Sequence, residues 1–200
     1  MTLRNWFPLL FAAALALPFA APALGVDSGD QIAAAFRLLD EVRIGAYSHN
    51  PHDHVTWYQR EISGLDLSGE VLSSKVWTGT TGNVFLDAFL SPRLHAGVMA
   101  STNNHNSYVF AGLTWRYGLF DKLYVESEFG GAVNNGPTHW DAKRTDLGCP
   151  VTFRESAGIG YQFTTNWSLT ANVEHISHAD LCPTTNPGQT NWGARIGYKF

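Results

Sequence analysis

Strand-length segments of this chain pair an apolar face with a face that mixes small residues and charges of both signs, and few folds accept that combination. Side chains alternate across a strand, so odd and even positions separate onto opposite faces. Residues 107–118 set Val109, Ala111, Leu113, Trp115 and Tyr117 against Tyr108, Phe110, Gly112, Thr114 and Arg116. Residues 152–163 set Phe153, Glu155, Ala157, Ile159, Tyr161 and Phe163 against Thr152, Arg154, Ser156, Gly158, Gly160 and Gln162. The last strand repeats the pattern with Trp192, Ala194, Ile196, Tyr198 and Phe200 against Gly193, Arg195, Gly197 and Lys199. A soluble sandwich solvates its charged face. Here Glu126, Glu128, Arg154, Glu174 and Arg195 share their face with glycines and serines, as the filled interior of a narrow barrel requires.

The pattern predicts an all-β chain: an eight-stranded antiparallel transmembrane β-barrel of outer-membrane type. Strands are expected near 41–48, 64–74, 92–101, 107–118, 122–133, 152–163, 167–177 and 190–200. The rival is a soluble lipocalin-like barrel, which turns its apolar face inward to a ligand. Connections after the fourth and sixth strands are tight, and those after the first, fifth and seventh are long and polar. Short periplasmic turns and longer outer loops fit an outer-membrane barrel. Trp115, Tyr117, Tyr161, Phe163, Trp167, Tyr198 and Phe200 then gather at the periplasmic ends as an interfacial girdle. Residues 75–91, which include Val84-Phe85-Leu86, depart from this plan and have no assigned role in it.

Composition supports export and argues against other classes. Arg4, the apolar run from Phe7 to Ala21, and the small-residue sites at Ala21-Pro22-Ala23 and Ala23-Leu24-Gly25 predict a cleaved signal peptide over residues 1–25. Residues 26–200 are then a single barrel domain in the outer membrane of a Gram-negative bacterium. The formal net charge of -4 offers no basic surface for nucleic acid. Overall hydropathy is near neutral, and beyond the leader no run is long enough for a membrane helix.

The apolar stripe of the seventh strand, Trp167, Leu169, Ala171 and Val173, is interrupted at its end by His175 and Ser177. A base and a hydroxyl two residues apart on one face have the spacing that nucleophilic catalysis uses. They lie on the outer wall, where a lipid is the natural substrate. Histidines at 49, 52, 54, 105 and 139, with Asp53 and Asp141, fall in expected outer loops. They are read as exposed polar residues, and no metal site is expected.

His175-Ile-Ser177-His178-Ala179-Asp180-Leu181, followed by Asn186-Pro187-Gly188 and a terminal strand, resembles the PagL family of lipid A 3-O-deacylases. The resemblance implies an esterase that removes the 3-O-acyl chain of lipid A, the lipopolysaccharide anchor in the outer leaflet. It makes Ser177 the nucleophile and His175 the general base, with no cofactor. It puts an oxyanion hole at the amides near His178 and Ala179. His178 stands where the family carries Asn, Asp180 where it carries Gly, and Thr190 where it carries the triad Glu. A non-catalytic structural or adhesive barrel on the same scaffold is the alternative.

Register suggests a replacement acid. A three-residue turn at 164–166 keeps the apolar stripes of both neighbouring strands together and puts Glu155 directly opposite His175. Asp180 is the second candidate, while Glu174 points into the barrel. Cys149 and Cys182 flank adjacent strands in outer loops, and in an oxidising compartment they are expected to form a disulfide.

Overall fold

The computed structural model describes residues 38–49, 64–141, 143–184 and 186–200. The expected leader and His52, Asp53 and His54 lie outside the described residues. Eight strands run in chain order: β1 Leu39–His49, β2 Leu65–Lys75, β3 Arg93–Ser101, β4 Tyr108–Gly118, β5 Leu123–Asn134, β6 Val151–Gln162, β7 Trp167–Ser177 and β8 Gln189–Lys199. Each pairs antiparallel with the next, and β8 closes on β1. Closure leaves no unpaired sheet edge, the condition for crossing hydrocarbon with strands. The unassigned segment between β2 and β3 contains a short helix, α1 Val84–Leu90.

The faces sort as the alternation requires. Ile44, Leu67, Leu94, Phe129, Phe153, Ile159, Leu169 and Trp192 are exposed on the outer wall, the reverse of a lipocalin. Trp167 packs edge-on against Tyr198, and Tyr198 against Phe200, at the end that carries the short turns. Gly160 leaves the interior space that the Tyr124 ring fills, so Tyr124 reaches over β6 to Thr170 on β7 at 2.7 Å.

Inside, the charges form one connected network. Arg43 reaches Glu41 and Glu126 at 2.7 Å, Glu70 at 3.1 Å and Glu128 at 3.2 Å. Arg195 shares Glu70, Glu126 and Glu128, and Arg154 bridges Glu128 and Glu174 at 2.8 Å each. Arg116 joins Glu41 to Glu126, and Arg93 reaches Glu41 at 2.6 Å. Burying a charge costs several kcal/mol unless partners and hydrogen bonds replace the lost water. Here Arg43, Arg116, Arg154 and Arg195 each meet carboxylates from more than one strand, so the same contacts also tie strands across the lumen.

Replacing Arg43 by Met takes one cationic partner from four buried carboxylates at once. The expected cost is about 3–5 kcal/mol of unfolding free energy. Urea titration of the barrel folded in lipid vesicles checks this, and a loss well under 1 kcal/mol would mean that the network is not stabilising.

Candidate active site

The site is a product of register. β6 and β7 pair so that Phe153 faces Ser177 and Glu155 faces His175, as the three-residue turn requires. On the other side β8 brings Thr190 beside His175, and β5 puts Phe129 beside Glu155. Phe129, Glu155, His175 and Thr190 thus form one row across the outer wall. His175 and Ser177 are half-buried in it, while Ser168, Thr170, Asn172, Glu174, Ile176 and His178 alternate into the interior.

The orienting contact of His175 comes from β8. Its Nδ1 lies 2.8 Å from Thr190 Oγ1. If Nδ1 carries the ring proton and donates it there, Nε2 keeps a free lone pair, the form a general base needs. Glu155 is exposed, and its side chain makes no hydrogen bond or ion pair among the described residues. The register neighbour is thus the carboxylate that sequence spacing picks out, while the ring bonds to the other flank. Asp180 is exposed in the turn after Ser177 and also makes no such contact among the described residues.

Gly188 fixes the ring from above. Its φ is +74°, and a Cβ there would lie 2.5 Å from His175 Cε1 and 2.8 Å from Nε2. Only glycine offers both that backbone conformation and that clearance. Asn186 holds the approach, accepting a hydrogen bond from the Gly188 amide at 2.9 Å. The Asn186-Pro187-Gly188 segment is visible in the sequence, but its contact with the histidine is not, because it lies beyond the strand pairing.

Just beyond the serine the backbone turns sharply. Ala179 and Asp180 have φ of 47° and 59°, and the Leu181 amide closes onto the His178 carbonyl at 3.0 Å. Consecutive non-glycine residues in this region are strained, and such strain gathers at functional sites. Turns of this kind point successive amides at one place, which suits an anion. The His178 ring is 1% exposed inside the barrel, and neither ring nitrogen has a hydrogen-bond partner among the described residues. Its side chain is therefore on the wrong face to meet an oxyanion beside Ser177, and only its backbone amide remains for that role.

Cys149 and Cys182 are joined by a disulfide with their Cα atoms 6.2 Å apart. Thr184 Oγ1 donates to the Gly148 carbonyl at 2.9 Å alongside it. The two loops that flank β6 and β7 at the site end are thereby tied together. Away from the wall, Glu70, His95 and Glu128 form the one group with metal-ligand spacing among the described residues. It lies inside the barrel, where Arg43 and Arg195 hold both carboxylates.

A family model described as lipid A 3-O-deacylase (PagL) matches residues 41–199. No curated protein matches. Among solved structures, the outer membrane enzyme PagL superposes with a TM-score of 0.56 at 16% identity, covering 80% of this chain and 99% of that one. Neisserial surface protein A gives 0.49 at 11% identity, with 81% and 97% covered. The N-terminal barrel of Pseudomonas aeruginosa OprF gives 0.45 at 13%, with 80% and 98% covered.

The disulfide has its own check. Non-reducing peptide mapping of the exported protein should recover Cys149 and Cys182 in one linked pair, and two freely alkylated thiols would refute the bridge.

Proposed function

The chain belongs to the lipid A 3-O-deacylase (PagL) family, and on that premise we propose that it is an outer-membrane esterase that removes the 3-O-acyl chain of lipid A. The observation that carries the reading is the His175 ring, held at Nδ1 by Thr190 and capped by Gly188, with Ser177 two residues along the same face. Ser177 Oγ attacks the acyl carbonyl while His175 Nε2 takes its proton. The tetrahedral oxyanion is held by amides of the turn at His178 and Ala179. Collapse expels the sugar hydroxyl, which receives the proton from His175. Water, deprotonated by the same nitrogen, then attacks the acyl-serine and releases a fatty acid.

Two groups share the work of the missing family carboxylate. Thr190 fixes the tautomer through one hydrogen bond, and Glu155 supplies the negative charge that steadies the imidazolium from across the strand pair. A side-chain pair that faces each other directly has Cβ atoms about 4.5–5.5 Å apart. A unit charge near 6 Å at an effective dielectric of 20 is worth roughly 2–3 kcal/mol. Neither group alone matches a carboxylate bonded to the ring, so turnover is expected to be modest. The second reading, a non-catalytic barrel, is favoured by one observation only, the hydroxyl of Thr190 where the family carries Glu.

Mass spectrometry of lipid A incubated with the purified barrel separates the two readings. Loss of one acyl chain at position 3 is expected with the native chain and not with Ser177→Ala or His175→Ala, which should each fall by roughly three orders of magnitude or more. An inert native chain, or full activity in either variant, overturns the mechanism.

The division of labour has a separate signature. Thr190→Val removes one neutral hydrogen bond and should cost about tenfold in kcat. Glu155→Gln should cost about a hundredfold with little change in KM, because the charge acts once imidazolium forms. Thr190→Glu should raise kcat above the native value. Near-normal turnover in Glu155→Gln would remove Glu155 from the mechanism.

A further inference from the structure

The helix between β2 and β3 is the part of the fold that neither the barrel nor the proposed chemistry uses. Its sequence is Val-Phe-Leu-Asp-Ala-Phe-Leu, in which only Asp87 is polar, and none of its residues is buried. Val84 is 73% exposed, Phe85 84% and Phe89 63%. A loop that shows so much apolar surface to water would be a liability. It is nonetheless firmly built. Asn83 caps it by accepting from the Phe85 and Leu86 amides, and Asp87 accepts from Thr80 Oγ1, Thr81 Oγ1 and the Thr81 amide.

Its position says what covers it. Trp115 belongs to the lipid-facing stripe of β4. It stacks on Phe89 at 6.2 Å and donates its indole N–H to the Phe89 carbonyl at 2.9 Å. The helix is therefore strapped to the outside of the barrel wall, at the level of the aromatic girdle, and its apolar residues continue the lipid-facing band. Three of the chain's four lysines, Lys75, Lys122 and Lys199, are exposed at the same end. With Asp40 and Asp121 they line a hollow of about 490 Å³ at the barrel mouth. Apolar surface below and ammonium groups above match the acyl and phosphate layers of an anionic phospholipid leaflet.

We propose that Val84–Leu90 is an interfacial anchor that sinks Val84, Phe85 and Phe89 into the phospholipid leaflet facing the periplasm. This rests on the outer-membrane orientation of the proposed deacylase, with the site at the opposite leaflet. The anchor adds lipid contact at one sector of the barrel only, beneath β3 and β4, and so resists vertical sliding of the wall.

A nitroxide attached at Phe85→Cys reads the depth directly, since the native cysteines are bridged. The full barrel is folded into vesicles of phosphatidylethanolamine and phosphatidylglycerol, and relaxation by oxygen is compared with relaxation by a water-soluble nickel chelate. The expected result is oxygen accessibility several-fold above nickel accessibility, as for a label on the lipid face at Leu169→Cys. Nickel accessibility equal to or above that of oxygen overturns the anchor. Spin–spin broadening that disappears on dilution with unlabelled chain also overturns it, in favour of a second copy on this face. If Phe85→Cys fails to show the heat-shifted gel mobility of a folded barrel, Val84→Cys carries the same measurement. The readout needs no ester hydrolysis, so an inactive enzyme and a failed anchor give different results.

Discussion

The ion-pair network around Arg43 is the condition on which the outer wall depends. A barrel of eight strands has a lumen just wide enough for side chains, and those chains cannot be apolar on both faces without losing the signal that sets register. Charged interior residues solve this only if each finds its partners without water. Arg43, Arg154 and Arg195 do so by bridging carboxylates on β1, β2, β5 and β7. A slip of one residue in β1, β2, β5 or β7 would put a carboxylate into lipid and an apolar side chain into the network. The network therefore specifies register more strongly than the apolar face does, because the penalty for a misplaced charge is the larger one.

The site inherits its geometry from that specification. His175 is placed by neighbours in a row, Glu155 from β6 and Thr190 from β8, and by a glycine laid across its ring. Once registers are fixed from within, residues on the wall are positioned to the accuracy of the pleat. The loops need to supply less: Gly188 to clear the ring and, in the proposed reaction, a turn at Ala179 and Asp180 to aim amides. The disulfide between Cys149 and Cys182 braces the two loops that border this turn.

Much of this was legible in the residues, for physical reasons. Alternation has a period of two, so the face of every strand residue follows from one assignment, and the eight strands fall within about two residues of their expected bounds. The pairing of Glu155 with His175 follows from the same parity. Alternation stops at the Cα, however. A histidine between two partners chooses one by rotamer, and strand spacing does not say that Nδ1 turns to Thr190 rather than to Glu155. The inward ring of His178 was available from parity, since it follows Glu174 and Ile176 on the even face, although Ser177 ends the strand. Helix Val84–Leu90 was not available. Seven residues span two turns, too few for a 3.6-residue period to show, and an almost wholly apolar run has no polar face to mark it.

Length along β7 ties the two ends of the molecule to one another. Trp167, in the girdle, and Ser177, at the site, bound a strand of eleven residues. Ten steps of about 3.3 Å give roughly 33 Å along the strand, and a tilt near 40° leaves about 25 Å along the membrane normal, the height of the apolar band of such barrels. If Trp167 sits at one interface, Ser177 sits at the other. That is where an ester between a sugar and an acyl chain lies, at the boundary of headgroup and hydrocarbon. In the proposed reaction, a substrate that diffuses in the leaflet arrives with its height already set, and the barrel has only to hold Ser177 at the same height. The strand length does this for the site, and the aromatic girdle at the far end supplies the reference from which the length is measured.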